Sequence, residues 1–211
     1  MDEALAEVPA PEGVATRALV EAALRDHAAP VRFAGWGLAG ADLKELDFHG
    51  CEFLRCRAAR ADFSACDLGE ARFLSCDLNN AVCRRTTLSS ALFRDCKLTG
   101  LLIVSAATIG LTFKRCLLVD AQLQGLSFRH AALEGLDFQG ADLTEADFRQ
   151  AVLTGCNLRD ANLTRARFEG ADLRGTDLGG LQLADAPRFR GAIISRQQAA
   201  EIVSRLGLKV A

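Results

Sequence analysis

The sequence predicts an all-β solenoid, a chain wound into stacked four-sided coils with a helix at each end. Three observations carry this. From Phe33 to Leu183 every fifth residue is apolar, with few exceptions and no change of phase, which makes 31 repeats. Two residues before each of these centres stands a second small or apolar residue, as at Ala41, Cys51, Ala61, Cys66, Ala71 and Ala171. Residues 20 apart form ladders of like side chains. One ladder runs Phe33, Phe53, Phe73, Phe93, Phe113, then Leu133, Leu153, Leu173; the next runs Trp36, Cys56, Cys76, Cys96, Cys116, Leu136, Cys156, Thr176. A period of five fits neither the 3.6 of a helix nor the 2.0 of a strand. It fits a backbone that turns a corner every fifth residue and sends two of each five side chains inward. Four such sides close one coil, which is the spacing of the ladders. The repeats then make about eight coils, roughly 38 Å of rod at the ~4.8 Å spacing of parallel strands.

Composition narrows the classes. Half of the 211 residues are apolar, so a disordered chain is not expected. A net charge of −2 argues against a general nucleic-acid binder. No apolar run of 18 residues is present, and Met1 to Pro11 is acidic without an apolar core, so neither a membrane span nor a signal peptide is expected. A solenoid has no intrinsic size limit, and three segments follow from the pattern: 1–30, an extension; 31–186, the coils; 187–211, a closing helix and short strand.

In chain order, Pro9, Pro11 and Gly13 break the start. Val14 to His27 predicts an amphipathic helix with a stripe of Val14, Ala18, Leu19, Val20, Ala23 and Leu24, stopped before Pro30. Its expected place is over the first coil, because an uncovered coil end is an unpaired β edge. Within the coils the centres soften at Ala58, Cys83 and Thr108. Around Thr108 outward positions turn apolar: Leu102, Val104 and Ile109, with Leu117, Val119 and Val82 nearby. This group reads either as a contact surface or as packing against the N-terminal helix. After Leu183 the pattern decays at Pro187. Ser195 then caps a helix from Arg196 to Leu206 with the stripe Ala199, Ile202, Val203, Leu206, and Gly207 stops it before a strand at Leu208 to Val210.

Seven of the eight cysteines occupy the slot two before a centre, and Cys83 is itself a centre. No CxxC or Cys/His zinc spacing appears. Packing is the favoured reading; a disulfide or soft-metal ladder is the other, since neighbours at ~4.8 Å lie within disulfide range. The chain is expected to be cytoplasmic and reduced. His27, His49 and His130 lie too far apart to cooperate, and no phosphate-binding glycine loop or GxSxG elbow occurs. Stacked carboxylates such as Asp42 with Asp62, or Asp47 with Asp67, would raise one pKa of each pair. Without a cleft these stay solvated faces, so an enzyme is not expected, nor a cofactor.

The segments Ala41-Asp42-Leu43, Ala61-Asp62-Phe63, Ala141-Asp142-Leu143-Thr144, Ala161-Asn162-Leu163-Thr164 and Ala171-Asp172-Leu173-Arg174-Gly175 resemble the A(D/N)LXX signature of pentapeptide repeat proteins. That resemblance implies a right-handed quadrilateral parallel β-helix. The tail from Ile194 to Val210 resembles the C-terminal segment of the quinolone-resistance (Qnr-type) branch and its mycobacterial and albicidin-resistance relatives. It implies a two-fold homodimer through Ile202, Leu206, Leu208 and Val210. It also implies a partner, DNA gyrase or topoisomerase IV, protected from or modulated against a poison; on the net charge, direct nucleic-acid binding is not expected. The branch is proposed to mimic duplex DNA, for which Asp137, Asp142, Asp147, Asp160, Asp172 and Asp177 are the acidic candidates; Leu102, Val104 and Ile109 are the candidate apolar contact. Charge sits poorly with uniform mimicry. Residues 31–187 hold 18 basic and 20 acidic side chains, whereas 38 Å of duplex would carry ~22 negative charges. Arg149, Arg159, Arg165, Arg167 and Arg174 stand among the later acids, and an early face is basic: Arg32, Arg55, Arg72, Arg94, Lys114, Arg115. The competing readings are a scaffold for an unrelated protein, and a nucleic-acid or metal-binding module.

Overall fold

The computed structural model describes residues 5–27, 30–179, 183–205, 207 and 209. The chain falls into two compact units, Met1–Gln122 and Leu123–Ala211. In the N-terminal unit, strand β1 (Ala6–Val8) and helix α1 (Arg17–His27) precede the coils. The strands that follow are β2 (Val31–Ala34), β3 (Glu52–Leu54), β4 (Arg72–Leu74), β5 (Val82–Arg84), β6 (Leu92–Arg94), β7 (Leu102–Val104) and β8 (Thr112–Lys114). One parallel sheet runs β1-β2-β3-β4-β6-β8, with Phe33 opposite Phe53, Phe53 opposite Phe73, and so on to Phe113. This is the first side of the coil. Parallel bridges Gly37 to Arg57, Asp42 to Asp62 and Asp47 to Asp67 mark the second, third and fourth sides, with β5 and β7 paired on the third. The C-terminal unit repeats the plan with β9 (Ala132–Glu134) on β10 (Val152–Thr154), and bridges such as Asp137 to Asn157 and Asp147 to Arg167 on other sides. The parallel β-solenoid is therefore as expected. Its count differs from eight coils: the longest hydrogen-bonded stack has six strands, β1 included.

The corner itself has a simple cause. Every fifth residue from Gly35 to Gly175 has positive φ, and eighteen of these are not glycine, for example Glu45, Ala65, Ser75 and Arg165. At most corners the N–H three residues past a centre donates to its carbonyl, as Ala41 to Leu38 and Ala61 to Ala58, both 3.1 Å. A turn of this type needs positive φ at its third residue. An L-residue held there costs on the order of 1 kcal/mol, a toll offset by the inter-coil hydrogen bonds the turn aligns.

Inside, the centres stack. Phe53, Phe73 and Phe93 lie ring over ring at 4.5 and 4.7 Å, nearly parallel, and Phe48 and Phe63 meet this column edge-on. Both geometries suit the aromatic quadrupole. In the C-terminal unit Phe148 and Phe168 stack at 4.7 Å, and Phe189 lies on Phe168 at 4.6 Å. The pattern thus does not decay at Pro187. A 3-10 helix (Leu183–Phe189) carries it past one extra residue, so that Ile193 rather than position 192 pairs with Asp172.

The ends explain themselves by what they satisfy. β1, not foreseen because so short a strand carries no periodicity, pairs with β2, and the Trp36 indole donates to the Val8 carbonyl at 3.0 Å. α1 lies by the first coil: the Ala15 amide donates to Gly37 and the Arg17 guanidinium to Lys44. Its buried face is narrower than the expected stripe. Val20 and Ala23 are buried, whereas Val14, Ala18 and Leu19 are exposed. Helix α2 (Arg196–Arg205) starts with a reciprocal cap, Gln198 N–H to Ser195 Oγ and Ser195 N–H to Gln198 Oε1. Buried Gln198 also donates to the carbonyls of Leu173 and Thr176, both at 2.8 Å, fastening α2 to the coil. The expected positions Leu206, Leu208 and Val210 lie outside the described residues.

The left-handed corners reverse the usual rank of glycine and alanine. Ala65, at φ 58, is expected to gain about 0.5–1 kcal/mol on change to Gly, and Gly35→Ala to lose about 1 kcal/mol although its Cβ would meet open space. Chemical denaturation of both variants checks this, and an Ala65→Gly variant clearly less stable than the parent would count against the corner geometry.

Candidate partner surface

The acidic candidates do not form one face. In the C-terminal unit Asp137, Asp160 and Asp177 fall on the second side, Asp142 on the third, Asp147 on the fourth and Asp172 on the first. Five of the six are also occupied. Oδ1 of Asp137, Asp142, Asp147, Asp172 and Asp177 each accepts the N–H two residues on, at 2.9 to 3.1 Å. Asp and Asn form such turns because the short carboxylate or amide reaches its own backbone. The same bond recurs at Asp42, Asp47, Asp62, Asp67 and Asp77 and at Asn157 and Asn162, so the Asp/Asn of the repeat is a corner residue.

Arginines neutralise much of what remains. The Arg149 guanidinium, 2.6 Å from Asp147, holds that carboxyl below its ordinary range. Arg174 does the same to Asp172 and Arg159 to Asp177. At Asp142 partial burial pushes the pKa up, but hydrogen bonds from Thr144 and Gln124 outweigh it and the net shift is downward. Asp42 and Asp62 do stack, yet no pKa rises at Asp62. Lys44 sits 3.5 Å from one and 3.4 Å from the other, and against the upward push of burial the hydrogen bonds from Ser64 and Lys44 prevail.

The apolar candidates divide between two sides of the N-terminal unit. Leu102 and Val104 are half-buried on β7, with Val82 opposite Leu102 on β5. Ile109 stands past the Ser105 corner on the fourth side and is 84% exposed. The hydrogen bonds of α1 and its N-terminal lead go to the first coil instead, at Gly37 and Lys44. In the tail, Ile202 is half-buried on α2.

The cysteines have a role that the reading as small apolar fillers missed. All eight are free and buried. At the strand-type corners the centre carbonyl accepts a thiol from the next coil: Cys56 to Phe33 at 3.1 Å, Cys76 to Phe53 at 3.2 Å, Cys96 to Phe73 at 3.3 Å, Cys116 to Phe93 at 3.4 Å. Thr176 gives its hydroxyl to Leu153 from the same slot. Burial drives the Cys66 and Cys83 thiols up to about 12. Among the described residues no group of three or more ligating side chains could hold a metal. An open groove between α1 and the first coil is lined by Glu21, Leu24, Arg25, Leu46, Asp47 and His49; His49 Nδ1 lies 3.7 Å from Asp67. Among the described residues no helix is long and apolar enough to cross a membrane.

Comparison with known proteins agrees with this architecture. A model of pentapeptide repeats matches residues 111–144 and 141–180, and one of a pentapeptide repeat region matches 46–123. No curated protein matches by sequence. Among solved structures, a trypsin-treated variant of QnrB1, a plasmid-mediated fluoroquinolone resistance protein, is 23% identical over 85% of this chain and 95% of its own, with a TM-score of 0.72. Full-length QnrB1 is 20% identical over 84% and 95%, with a TM-score of 0.55.

Two outcomes follow from the geometry. Cys96→Thr keeps a donor for the Phe73 carbonyl and should be near neutral, whereas Cys96→Ala should cost about 1 kcal/mol by denaturant midpoint. Lowered carboxyl pKa values stabilise the fold above the unfolded value of about 3.9, and this is lost as pH falls through the folded values. The melting temperature should therefore hold from pH 8 to 5 and drop below about pH 4; a flat profile down to pH 2 would contradict it.

Proposed function

Because the chain belongs to the pentapeptide repeat proteins, whose models together span residues 46–180, we propose that it is a non-enzymatic binding protein that engages DNA gyrase or topoisomerase IV and relieves the action of a poison such as a fluoroquinolone. The observation that carries this reading is the shared solenoid with QnrB1 over 85% of the chain, together with the Qnr-type tail from Ile194 to Val210. Residues 187–211 close the last coil and present Ile202, Leu206, Leu208 and Val210 to a second copy, giving a two-fold homodimer, and the protein acts in the cytoplasm. The contact with the topoisomerase uses shape and local groups, with Leu102, Val104 and Ile109 as apolar anchors. Wholesale electrostatic mimicry of DNA is not part of the proposal, since five of the six candidate acids are tied to their own corners.

That scattering of acids favours a second reading, a scaffold for a protein unrelated to topoisomerases. Gyrase supercoiling in the presence of a fluoroquinolone separates the two. Restoration of supercoiling by stoichiometric purified protein, reduced by Ile109→Glu, is the expected result. Protein that neither inhibits nor rescues gyrase, while a pull-down returns a different stable partner, would establish the scaffold.

A further inference from the structure

Two of the four sides of the N-terminal unit are biased in charge, in opposite senses, while the second and third mix signs. The first side, residues 31–35, 51–55, 71–75, 91–95 and 111–115 with β1 on its sheet, carries Arg32, Arg55, Arg72, Arg94, Lys114 and Arg115 against three acids, Glu7, Glu52 and Asp95. The fourth side, residues 46–50, 66–70, 86–90 and 106–110, carries Asp47, Asp67 and Glu70 and neither Lys nor Arg. A shell serving solubility alone would mix signs on each side.

Two of these acids are placed between bases. Glu52 is only 4% exposed in its side chain, although it points outward from β3. Arg32 Nε lies 2.6 Å from one of its oxygens and Arg72 Nε 3.6 Å from the other, on the coils before and after. Asp95 receives Arg115 through two bonds of 2.7 and 3.0 Å, with Arg94 at 3.8 Å. Each carboxylate thus holds two guanidiniums in place, and Glu7 on β1, 3.8 Å from Arg32, balances the charge left over beside Glu52. Arg55 and Lys114, both exposed, add to these, and Arg94 and Lys114 are strand neighbours on β6 and β8.

The face carries charge without an apolar anchor. Its larger apolar side chains, Leu54, Leu74 and Leu92, are half-buried or buried, and it holds none of the exposed large hydrophobics among the described residues. Protein interfaces draw their energy from buried aromatic and aliphatic anchors at their centre. Phosphate backbones are bound by arrays of Arg and Lys on polar, strongly positive surfaces, and Arg suits phosphate by its rigid fork. We propose that the first side of the N-terminal unit binds the phosphodiester backbone of duplex nucleic acid, without reading sequence. This revises the expectation that nucleic acid is not bound, and it stands apart from the topoisomerase reading.

Fluorescence anisotropy of a labelled 20-base-pair duplex, titrated with the full chain, tests it. Neutralising three or four phosphates should make binding roughly 40- to 150-fold weaker at 200 mM than at 50 mM salt, and indifferent to base sequence. Arg55→Glu with Lys114→Glu should weaken binding at least about tenfold at 50 mM salt. Arg84→Glu with Arg85→Glu, an equal charge change on the third side, should leave it nearly intact; circular dichroism confirms that both variants fold. No binding at 50 mM salt, equal loss in both variants, or capture of polyglutamate in preference to duplex would each overturn the proposal, the last in favour of an acidic protein partner. None of these results bears on gyrase rescue, which is read separately.

Discussion

The left-handed backbone corner at every fifth residue is the constraint on which the rest depends. Once φ is positive at Gly35, Gly40, Glu45 and onward to Gly175, the segments between are too short for anything but a brief run of extended chain. Each side then offers its amides and carbonyls along the stacking direction, where the neighbouring coil can meet them. Backbone polar groups must be paired when buried, and the two inward positions of each side leave room only for stacked rings, aliphatic chains and small fillers. Corner, ladder and core are one solution seen from three directions.

The same constraint uses up much of the surface. Of three outward positions per side, one commonly carries the Asp or Asn that accepts an amide of its own corner, and one is the left-handed residue. Acidity counted from sequence therefore overstates the acidity available to a partner. Thiols and hydroxyls perform a matching task inside, where Cys56, Cys76, Cys96 and Thr176 donate to carbonyls of the preceding coil. These tasks leave unclaimed the exposed Ile109 and the exposed Arg55 and Lys114 of the first side.

Much of the fold was legible because a fixed period, held in phase from Phe33 to Leu183, leaves little freedom. The Phe33 to Phe113 column, the four sides and the helix beginning after Ser195 could all be read directly. What escaped had no periodic signal. β1 is too short to show one, Gln198 reaches carbonyls of Leu173 and Thr176 that only the closed coil brings near, and the one-residue slip within the 3-10 helix restores a stack that the strict period had lost. The candidate surface was less legible. Spacing shows which side a residue occupies, and by that rule Asp142, Asp147 and Asp172 already fall on different sides; it does not show that their oxygens are spent on Thr144, Arg149 and Arg174. Nor does it show that Glu52, an outward residue, lies buried between two arginines.

If one coil is a closed unit of four sides, it should be removable as a whole, whereas a cut that breaks the phase should not be tolerated. Excising residues 71–90 joins Glu70 to Ala91 in unchanged register, whereas excising 71–88 puts polar side chains inside every later turn. Urea unfolding followed by circular dichroism measures the outcome: a single cooperative transition for the first chain and none for the second. Two chains that unfold alike, whether both cooperatively or both not, would contradict the account.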